Sequence, residues 1–382
     1  MKRILQISNY MYPHRGGIEQ VARDIAASLA DGPYEQRIIC FNEDARDGDT
    51  VCLRGETVTD TVDGVPVTRC GCIAKKFSQS ISLTFGRELR KVIKEFSPEI
   101  IIFHYPNPLM AHSLLRMPLK GVKLVLYWHL DIVKQKLLRH LFAGQNRRLL
   151  ERADLVIATS PIYVEGSPWL SGVREKCRVI PNCISEDRLR VTPEARAQAE
   201  RFRREAGDRT ICVAVGRNVP YKGLAHLVRA SRQLDDRFAV LIAGKGTEEL
   251  QAEAAGDGKV RLLGMVSDDA LIGLLLAADI FCFPSVTKNE AFGIALAEGM
   301  YYGKPAVTFT IPGSGVNYVS IDGETGLEAP NGDDAAFAMA IRQLAEDPAL
   351  RTRMGGNARA RVEKLFTYPQ FKQKILETVD GL

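Results

Sequence analysis

Short apolar runs alternate along the chain with segments whose apolar residues recur at helical spacing. The runs "RILQIS", "EIIIFHY", "KLVLYWH" and "ADLVIATS" have the length of buried strands, and each ends in polar residues. The segment "GGIEQVARDIAASLA" instead carries an apolar helical face. The residues of that face are Ile18, Val21, Ala22, Ile25 and Leu29. This alternation predicts βαβ units and therefore parallel sheets.

The same pattern starts again after "VIPNCISEDRL", in the middle of the chain. The strand-like runs there are "TICVAVGR", "FAVLIAG", "KVRLLGMV", "ADIFCFPS" and "KPAVTFT", and the helical segment "GLAHLVRASRQL" follows the first of them. We therefore predict an α/β fold with two doubly wound parallel-sheet domains, residues 1–186 and 187–364, with a hinge at 182–187. The amphipathic end, residues 365–382, is expected to pack back on the first domain.

Length and composition agree with a two-domain globular protein. The chain has 382 residues, of which 46% are hydrophobic and 25% charged, and its formal net charge is +5. This mild excess suits a phosphate-bearing ligand or an anionic membrane surface. It does not suit a nucleic-acid binder, because basic and aromatic residues are not interleaved in the way such proteins require.

The cysteines and the chain start indicate a reducing, cytoplasmic location. The eight cysteines are scattered, and the close pair Cys70 and Cys72 forms no metal-binding motif with a neighbouring His or Cys. The first apolar run is too short for a signal peptide, and no stretch approaches a membrane span.

A basic stretch at 134–152 leaves peripheral attachment to the inner face of the cell membrane open. Its basic residues are Lys134, Lys136, Arg139, His140, Arg147, Arg148 and Arg152. They alternate with leucines, which is typical of a helix lying on anionic lipid. A solvated helix face over a buried leucine stripe explains the pattern equally well.

Polar residues at strand ends are the candidate ligand contacts, because doubly wound sheets bind ligands at the carboxyl ends of their strands. Gly16 and Gly17 precede a predicted helix and would let backbone amides approach an anion, although a simple tight turn explains them equally well. Gly216 ends a later strand, and Arg217 and Lys222 follow it. Two cations at a strand end and a helix start favour a diphosphate over two solvated surface charges.

Two histidines lie at the ends of apolar strands in the first half. His129 follows "LVLYW" and would offer a hydrogen-bond donor to a substrate in the cleft between the domains. His104, in "IIIFHY", is a weaker candidate of the same kind. From the residues alone, a structural histidine with satisfied hydrogen bonds is the simpler interpretation of both.

Two carboxylates, Glu290 and Glu298, bracket the Phe-Gly pair in "TKNEAFGIALAEGM". Eight residues of continuous helix would separate them by ~12 Å, whereas a glycosidase acid–base pair needs ~5–9.5 Å. We instead predict that Glu290 lies in a loop, that Glu298 lies in the following helix, and that amides near Gly293 are exposed at the helix start. Carboxylates for hydroxyls and amides for phosphate suit a phosphorylated sugar ligand. A surface helix with incidental acids fits less well, because apolar residues surround Glu298.

In their order along the chain, these elements resemble the retaining glycosyltransferases of family four, which have the GT-B fold. The resemblance covers nearly the whole length, through "GGIE", "VIPNCI", "VGRNVPYKG", "AGKGTEEL", "VRLLGMVSDDAL", "FPSVTKNEAFGIALAEGM" and "GETGL". It implies two Rossmann-like domains that face each other across a cleft and bind a sugar nucleotide, commonly without a metal. The cysteine after "VIPN" departs from a frequent glycine. The segment "TIPGSGVNYV" resembles a bacterial polysaccharide-assembly subset, some of whose members transfer mannose or rhamnose.

The resemblance assigns roles to individual residues. Glu298 would bind the ribose, Glu290 the donor sugar, Arg217 and Lys222 the diphosphate, and His129 would lie near the transferred sugar. The expected catalytic residues are His129, Arg217, Lys222 and Glu290. The expected donor-binding residues are Gly16, Gly17, Gly216, Arg217, Lys222, Gly264, Met265, Val266, Glu290, Ala291, Phe292, Gly293, Ile294 and Glu298. The expected acceptor-binding residues are Tyr12, His14, His104 and Tyr105.

The function expected from this resemblance is transfer of a hexose, with retention of anomeric configuration, from a nucleotide-diphosphate sugar to a hydroxyl of a glycan or lipid-linked acceptor. GDP-mannose is favoured over UDP-sugars as the donor, and no metal or other cofactor is expected. The alternatives are a sugar-nucleotide epimerase on the same fold and a non-catalytic sugar-nucleotide-binding scaffold. An NAD oxidoreductase is disfavoured, because no GxGxxG motif follows either leading strand.

Overall fold

The computed structural model describes residues 1–14, 16–42, 55–76, 79–131 and 136–382. They form two compact units. The first contains Met1–Thr159, Ser167–Ile180 and Phe371–Leu382, and the second contains Ser160–Gly166 and Pro181–Gln370. The domain limits expected from the sequence (186/187 and 364/365) stay predictions, and these units divide the chain at slightly different residues.

The first unit is built around an eight-stranded sheet with a separate two-stranded hairpin. Its strands are β1 (Lys2–Ile7), β2 (Tyr34–Phe41), β3 (Val58–Val62), β4 (Val65–Cys70), β5 (Ala74–Lys76), β6 (Gln79–Ile81), β7 (Ile100–Tyr105), β8 (Lys123–Trp128), β9 (Leu155–Ala158) and β10 (Cys177–Val179). The order in the large sheet is β10-β9-β8-β7-β1-β2-β4-β3, and β5 pairs with β6. All pairs in the large sheet are parallel except β3 with β4.

The second unit contains a six-stranded, fully parallel sheet. Its strands are β11 (Thr210–Val215), β12 (Phe238–Ala243), β13 (Val260–Gly264), β14 (Ile280–Phe283), β15 (Ala306–Phe309) and β16 (Gly326–Ala329). They lie in the order β13-β12-β11-β14-β15-β16. The chain therefore winds outward from β11 in one direction and then outward from β14 in the other, which defines a doubly wound sheet.

Helices connect the strands and cover both sheets. They are α1 (Gly17–Leu29), α2 (Phe85–Phe96), α3 (Pro108–Leu114), α4 (Lys136–Arg152), α5 (Pro161–Gly166), α6 (Pro193–Ala206), α7 (Leu224–Ser231), α8 (Gln251–Ala254), α9 (Asp268–Ala277), α10 (Ile294–Tyr301), α11 (Val316–Val319), α12 (Asp334–Glu346), α13 (Pro348–Leu365) and α14 (Tyr368–Asp380). Central strands such as β7 and β12 are buried along their whole length, as parallel strands covered on both faces must be. The apolar runs recognised in the sequence are therefore strands, as predicted.

The end of α14 belongs to the first unit. Lys2 donates to the carbonyls of Val379 and Asp380 at 3.0 and 3.2 Å, and the Tyr34 hydroxyl donates to the Asp380 carboxylate at 2.5 Å. Burial, together with this bond, raises the pKa of Tyr34 to about 12. These bonds join α14 to β1 and to the start of β2.

The basic stretch is described in part. Residues 132–135, which include Lys134, lie outside the described residues, as do the side chains of Lys136, Arg139 and His140. Arg147 and Arg148 are exposed, whereas Leu149 and Leu150 are buried in the core. Arg152 donates to two backbone carbonyls at the end of α3 and in the loop that follows. Over the described residues, no helix combines the length and apolar character needed to cross a bilayer.

Candidate functional site

In the second unit, polar residues gather at the carboxyl ends of β11 and β14. These neighbouring strands form the point where the winding of the sheet reverses. Connections there leave in opposite directions and open a crevice, which is the usual ligand site of such sheets. Gly216 and Arg217 follow β11, and the loop with Ser285 and Glu290 follows β14.

Glycines let the loop after β11 lie close to its neighbours. Gly223 has φ 63°, and a Cβ atom there would lie 2.1 Å from the Pro284 carbonyl oxygen. Only glycine tolerates both the backbone angle and the contact. The Val286 amide donates to the Tyr221 carbonyl at 3.0 Å, which joins the loops after β11 and β14. Gly216 lies against the stem of Lys222, because a Cβ atom there would be in van der Waals contact with Lys222 Cδ at 3.7 Å.

Lys222 forms an ion pair with Glu290. The Glu290 side chain is 11% exposed and that of Lys222 is 15% exposed, so both charges are largely removed from water. The Ser285 hydroxyl donates to the same carboxylate oxygen at 3.3 Å, and the Ser314 hydroxyl donates to the Glu290 carbonyl. The ammonium group of Lys222 also lies 5.1 Å from the centre of the Phe283 ring, which adds a cation–π contact.

The segment from Glu290 to the start of α10 has the predicted arrangement, a loop followed by a helix. Ala291 and Phe292 are buried, Gly293 has φ 94° and caps α10, and no side chain caps the first turn. The backbone amides at this helix start therefore lack a side-chain acceptor, and the helix dipole favours an anion there. Glu290 lies before the helix and Glu298 lies within it.

Glu298 is 4% exposed and forms an ion pair with Arg188. Burial raises the pKa of the Glu298 carboxyl, although Arg188 opposes that shift. Asp268, at the start of α9, raises the pKa further, and Lys222 lowers it. Arg188 lies in the segment between β10 and α6, and its side chain is 45% exposed.

Gly264 ends β13, an edge strand of the sheet, and Met265 and Val266 follow it. Gly264 has φ 62°, and its amide donates to the Thr247 hydroxyl at 3.1 Å. Met265 is 65% exposed, an unusual position for a large apolar side chain. Asp268, which lies two residues after Val266, is one of the groups that raise the pKa of Glu298 on α10.

The first unit places its own polar residues at the corresponding point, between β1 and β7. Nδ1 of His104 lies 2.9 Å from Nε2 of His129, and Nε2 of His104 lies 3.0 Å from Oε1 of Gln6. Because the Gln6 oxygen can only accept, His104 donates through Nε2, and its Nδ1 then accepts from His129. Tyr127 stacks on both imidazole rings.

Both imidazoles are neutral near neutral pH. Burial lowers the pKa of His104 to about 3. Burial, and then proximity to His104, lowers the pKa of His129 well below its ordinary value. With Nε2 of His129 donating to His104, its Nδ1 is left as an acceptor, which differs from the donor expected from the sequence. The reason is the Gln6–His104 chain, which fixes the tautomer.

The remaining predicted residues of the first unit lie near the start of α1 or in β7. Gly16 caps α1 in an extended conformation, and the Glu19 carboxylate folds back over it. His14 stacks on Tyr10, and Tyr12 is 42% exposed. His104 and Tyr105 are fully buried, so an acceptor contact by either requires the end of β7 to open. The predicted acceptor role of these residues stays a prediction.

The structure thus brings Lys222, Glu290 and Glu298 to one end of the second sheet, and Arg217 is exposed in the loop that follows β11. Sequence reasoning missed Arg188, Ser285 and Gln6. Ser285 directly follows a strand-end proline, which is a usable signal. Arg188 and Arg190 look alike in "SEDRLR", and no spacing rule tells which of them faces inward.

The family models and one relative identify the class of protein. Residues 196–361 match the model "Glycosyl transferases group 1", and residues 16–183 match "Glycosyl transferase 4-like domain". The chain is 33% identical over 362 residues to D-rhamnosyltransferase WbpZ of Pseudomonas aeruginosa, which covers 94% of this chain and 90% of the relative. The protein is therefore a glycosyltransferase. It belongs to the group 1 glycosyltransferases with a family-4-like first half, which confirms the resemblance found in the sequence.

Other comparisons agree with the fold. O-antigen chain mannosyltransferase C of Escherichia coli is 28% identical over 373 residues, 96% of this chain and 94% of the relative. Sucrose-phosphate synthase from Thermosynechococcus elongatus matches with a TM-score of 0.79 at 21% identity, over 100% of this chain and 99% of that one. Anabaena Alr3699/HepE in complex with UDP-glucose matches with a TM-score of 0.78 at 18% identity, over the whole of both chains. The predicted α/β class with Rossmann-like GT-B domains is confirmed.

Proposed function

We propose that this protein transfers a hexose from a nucleotide-diphosphate sugar to a hydroxyl of a glycan or lipid-linked acceptor in bacterial surface polysaccharide assembly. The proposal rests mainly on the cluster of residues at the carboxyl ends of β11 and β14, where the winding of the second sheet reverses. There, Lys222, Glu290 and the uncapped start of α10 lie beside Glu298. This set supplies cations and amides for a diphosphate and carboxylates for sugar and ribose hydroxyls.

The chemistry follows from where charge develops. When the bond between the sugar and the diphosphate breaks, negative charge grows on the leaving phosphate. Lys222, Arg217 and the amides near Gly293 stabilise that charge. In the structure Lys222 is paired with Glu290. A bound diphosphate therefore replaces the Glu290 carboxylate as the partner of the Lys222 ammonium group. The released Glu290 carboxylate then accepts hydroxyls of the donor sugar.

Retention of configuration belongs to the same proposal. The leaving phosphate oxygen takes the proton of the acceptor hydroxyl on the face from which it departs, so a dedicated protein base is not required. The neutral His129 imidazole hydrogen-bonds to the sugar and does not act as a general acid, because burial keeps its pKa well below its ordinary value. No metal or other cofactor is part of the proposed reaction.

The donor is proposed to have the manno configuration, with a guanine nucleotide favoured. The two relatives with long matches are named a D-rhamnosyltransferase and a mannosyltransferase. D-rhamnose is 6-deoxymannose, so their sugars differ at C6 alone. A pocket that does not hydrogen-bond the C6 hydroxyl discriminates between such a pair only weakly, whereas one that does so rejects the deoxy sugar by ~10⁴-fold.

A donor screen tests the proposal. GDP-mannose, GDP-rhamnose, UDP-glucose and UDP-N-acetylglucosamine are each added to the protein, and the shift in melting temperature is measured. The largest shift is expected with GDP-mannose or GDP-rhamnose. Release of free sugar and GDP during prolonged incubation then marks a transferase using water as a slow acceptor. Conversion of the donor to another nucleotide sugar without release of GDP indicates an epimerase, and binding without any turnover indicates a scaffold.

Peripheral membrane attachment is the remaining part of the proposed function. It is supported by the exposure of Arg147 and Arg148 and opposed by the burial of Leu149 and Leu150 beside them. Co-sedimentation with anionic and neutral vesicles measures it. Binding to anionic vesicles alone supports a basic contact surface on a cytoplasmic protein, whereas equal binding to both, or to neither, rejects it.

A further inference from the structure

Glu298 occupies an apolar environment that opposes its charge. Glu298 is 4% exposed as a residue, and its neighbours on α10 (Leu296, Ala297 and Met300) are fully buried. An ionised carboxylate in such surroundings needs a positive or hydrogen-bonding partner, because burial removes its hydration. Arg188 is the partner that the structure provides.

The backbone around Arg188 is held in place on both sides. The Glu186 carboxylate accepts from the Tyr368 amide at 2.9 Å. Leu189 is 2% exposed, and its carbonyl accepts from the Tyr302 hydroxyl at 2.5 Å. Arg188 therefore projects from an anchored turn. Arg190, two residues later, forms an ion pair with Asp187 in which both side chains are more than three-quarters exposed. Such a surface pair contributes little to stability.

Arg188 contacts one of the two carboxylate oxygens. It donates to Oε1 of Glu298, and no hydrogen bond to Oε2 is found in the described part of the chain. A carboxylate offers about four acceptor positions. The ion pair therefore leaves Oε2 able to accept from ribose hydroxyls.

The other charged groups around Glu298 do not replace Arg188. Lys222, from the turn before α7, is paired with Glu290 and is assigned to the diphosphate. Asp268, from the start of α9, is negative. Tyr302, which follows α10, is neutral because burial raises the pKa of its phenol above its ordinary range. Arg188 is also the largest influence opposing the upward shift of the Glu298 pKa caused by burial.

We propose that Arg188 is a positioning residue for the donor ribose: it holds one oxygen of the Glu298 carboxylate and leaves the other to accept the ribose hydroxyls. This inference rests on the proposed function, which assigns Glu298 to the ribose. Arg188 acts through Glu298, and its effect is therefore confined to ligands that carry ribose hydroxyls. Without Arg188 the main influence that lowers the pKa of the buried carboxyl is lost, so its protonated form is favoured, and a protonated carboxyl is a poorer acceptor for two hydroxyls.

Calorimetric titration with GDP and with 2′,3′-dideoxy-GDP tests this inference. The wild-type protein is expected to bind GDP at least about tenfold more tightly, because hydrogen bonds to a charged group are lost in the analogue. In Arg188→Leu, affinity for GDP should fall about tenfold while affinity for the dideoxy analogue stays unchanged. Arg188→Lys should keep part of the preference, and the matched control Arg190→Leu should behave like the wild type.

The same titrations repeated over a range of pH distinguish a positioning role of Arg188 from a purely structural one. In Arg188→Leu, preference for GDP over the dideoxy analogue should return as the pH is raised and Glu298 ionises, whereas the wild-type preference should change little near neutral pH. In the Glu298→Gln background, Arg188→Leu should have no further effect on the preference, because the carboxylate it serves is gone. If Arg188→Leu does not fold, Arg188→Lys, which keeps a positive charge beside Glu298, provides the test.

Several outcomes overturn the inference. An Arg188→Leu variant that keeps the full preference, or that loses affinity for both nucleotides equally at every pH, shows that Arg188 does not act through the ribose. A wild type that binds GDP and its dideoxy analogue equally shows that the ribose hydroxyls are not read. A wild type that binds neither GDP nor UDP contradicts the proposed function itself.

Discussion

The two units place different chemistry at equivalent points of their sheets. In the first, a neutral chain runs from Gln6 through His104 to His129 across the point between β1 and β7. In the second, ion pairs of Lys222 with Glu290 and of Arg188 with Glu298 lie by β11, β14 and α10. The neutral chain fixes donor and acceptor directions, whereas the ion pairs hold charges that a charged ligand can exchange. This difference matches the proposed function, in which the second site binds the diphosphate and the first orients the uncharged sugar.

The largest expected effect, on both nucleotide affinity and rate, comes from removing a positive charge from the site in the second unit. Lys222→Ala removes the cation that is proposed to face the diphosphate and leaves Glu290 as a largely buried anion without its ion-pair partner. Loss of a charge-assisted contact costs about 1.5–3 kcal/mol, so affinity for GDP should fall by about tenfold to a hundredfold. The rate of transfer or of donor hydrolysis should fall further, because charge grows on the phosphate in the transition state. Arg217→Ala should act in the same direction.

Calorimetry with GDP and initial rates with the donor measure both effects. Arg353→Ala, at an exposed position on α13, is the matched control for removal of a positive charge. If Lys222→Ala and Arg217→Ala both keep wild-type affinity and rate, the diphosphate binds elsewhere.

The next largest effect concerns the proposed division of labour between Glu298, which would bind the ribose, and Glu290, which would bind the donor sugar. Glu298→Ala should weaken GDP and the intact donor alike, by about tenfold, because both contain the ribose. Glu290→Ala should leave affinity for GDP unchanged or slightly higher, since Lys222 no longer has a competing anion. It should still lower turnover and weaken discrimination among donor sugars.

Titrations of each variant with GDP, set beside rates with several donors, measure this difference. If Glu290→Ala loses GDP and Glu298→Ala does not, the two roles are reversed. If both variants behave like the wild type, the segment from Glu290 to Glu298 is structural.

The sequence predicted the strands, the position of Arg217 and Lys222 after a strand end, and the placement of Glu290 in a loop and Glu298 in the following helix. Each of these depends on local spacing. It did not predict the partners. Lys222 and Glu290 are 68 residues apart, and Glu298 and Arg188 are 110 residues apart. Such pairs form only when the sheet brings distant loops together. The tautomer of His129 likewise depends on Gln6, a strand residue that looks like any polar position in β1.

A smaller effect concerns the neutral histidines of the first unit, which make the stability of the protein depend on pH. The folded-state pKa of His104 is lowered from 6.5 to about 3. Below pH 6.5 the unfolded chain takes up a proton that the folded protein does not, so stability is present above this pH and is lost as the pH falls towards 3. The loss amounts to about 1.4 kcal/mol per pH unit for one histidine, and His129 should add to it. Glu298 acts with the opposite sign, because its pKa is raised on folding.

Tryptophan fluorescence isolates the first unit, because both tryptophans of the chain, Trp128 and Trp169, belong to it. Urea unfolding at about pH 7, 6 and 5 should give a steadily decreasing free energy of unfolding. His104→Gln retains a donor and an acceptor but cannot titrate. The slope of the unfolding free energy against pH should therefore correspond to the uptake of about one proton fewer on unfolding. An unchanged pH slope in this variant would mean that His104 is protonated in the folded protein.

The smallest expected effect is that of a chelator, and it concerns how the charged site neutralises a diphosphate. In the proposed reaction Lys222, Arg217 and the amides at the start of α10 carry out this neutralisation, so EDTA should leave the rate of transfer or donor hydrolysis unchanged. The same measurement on Lys222→Ala makes the comparison stronger. If side chains alone neutralise the phosphates, added magnesium should restore part of the lost rate in the variant, while it changes little in the wild type. A wild-type rate that falls in EDTA and returns with magnesium would show instead that a divalent cation shares the diphosphate with Lys222.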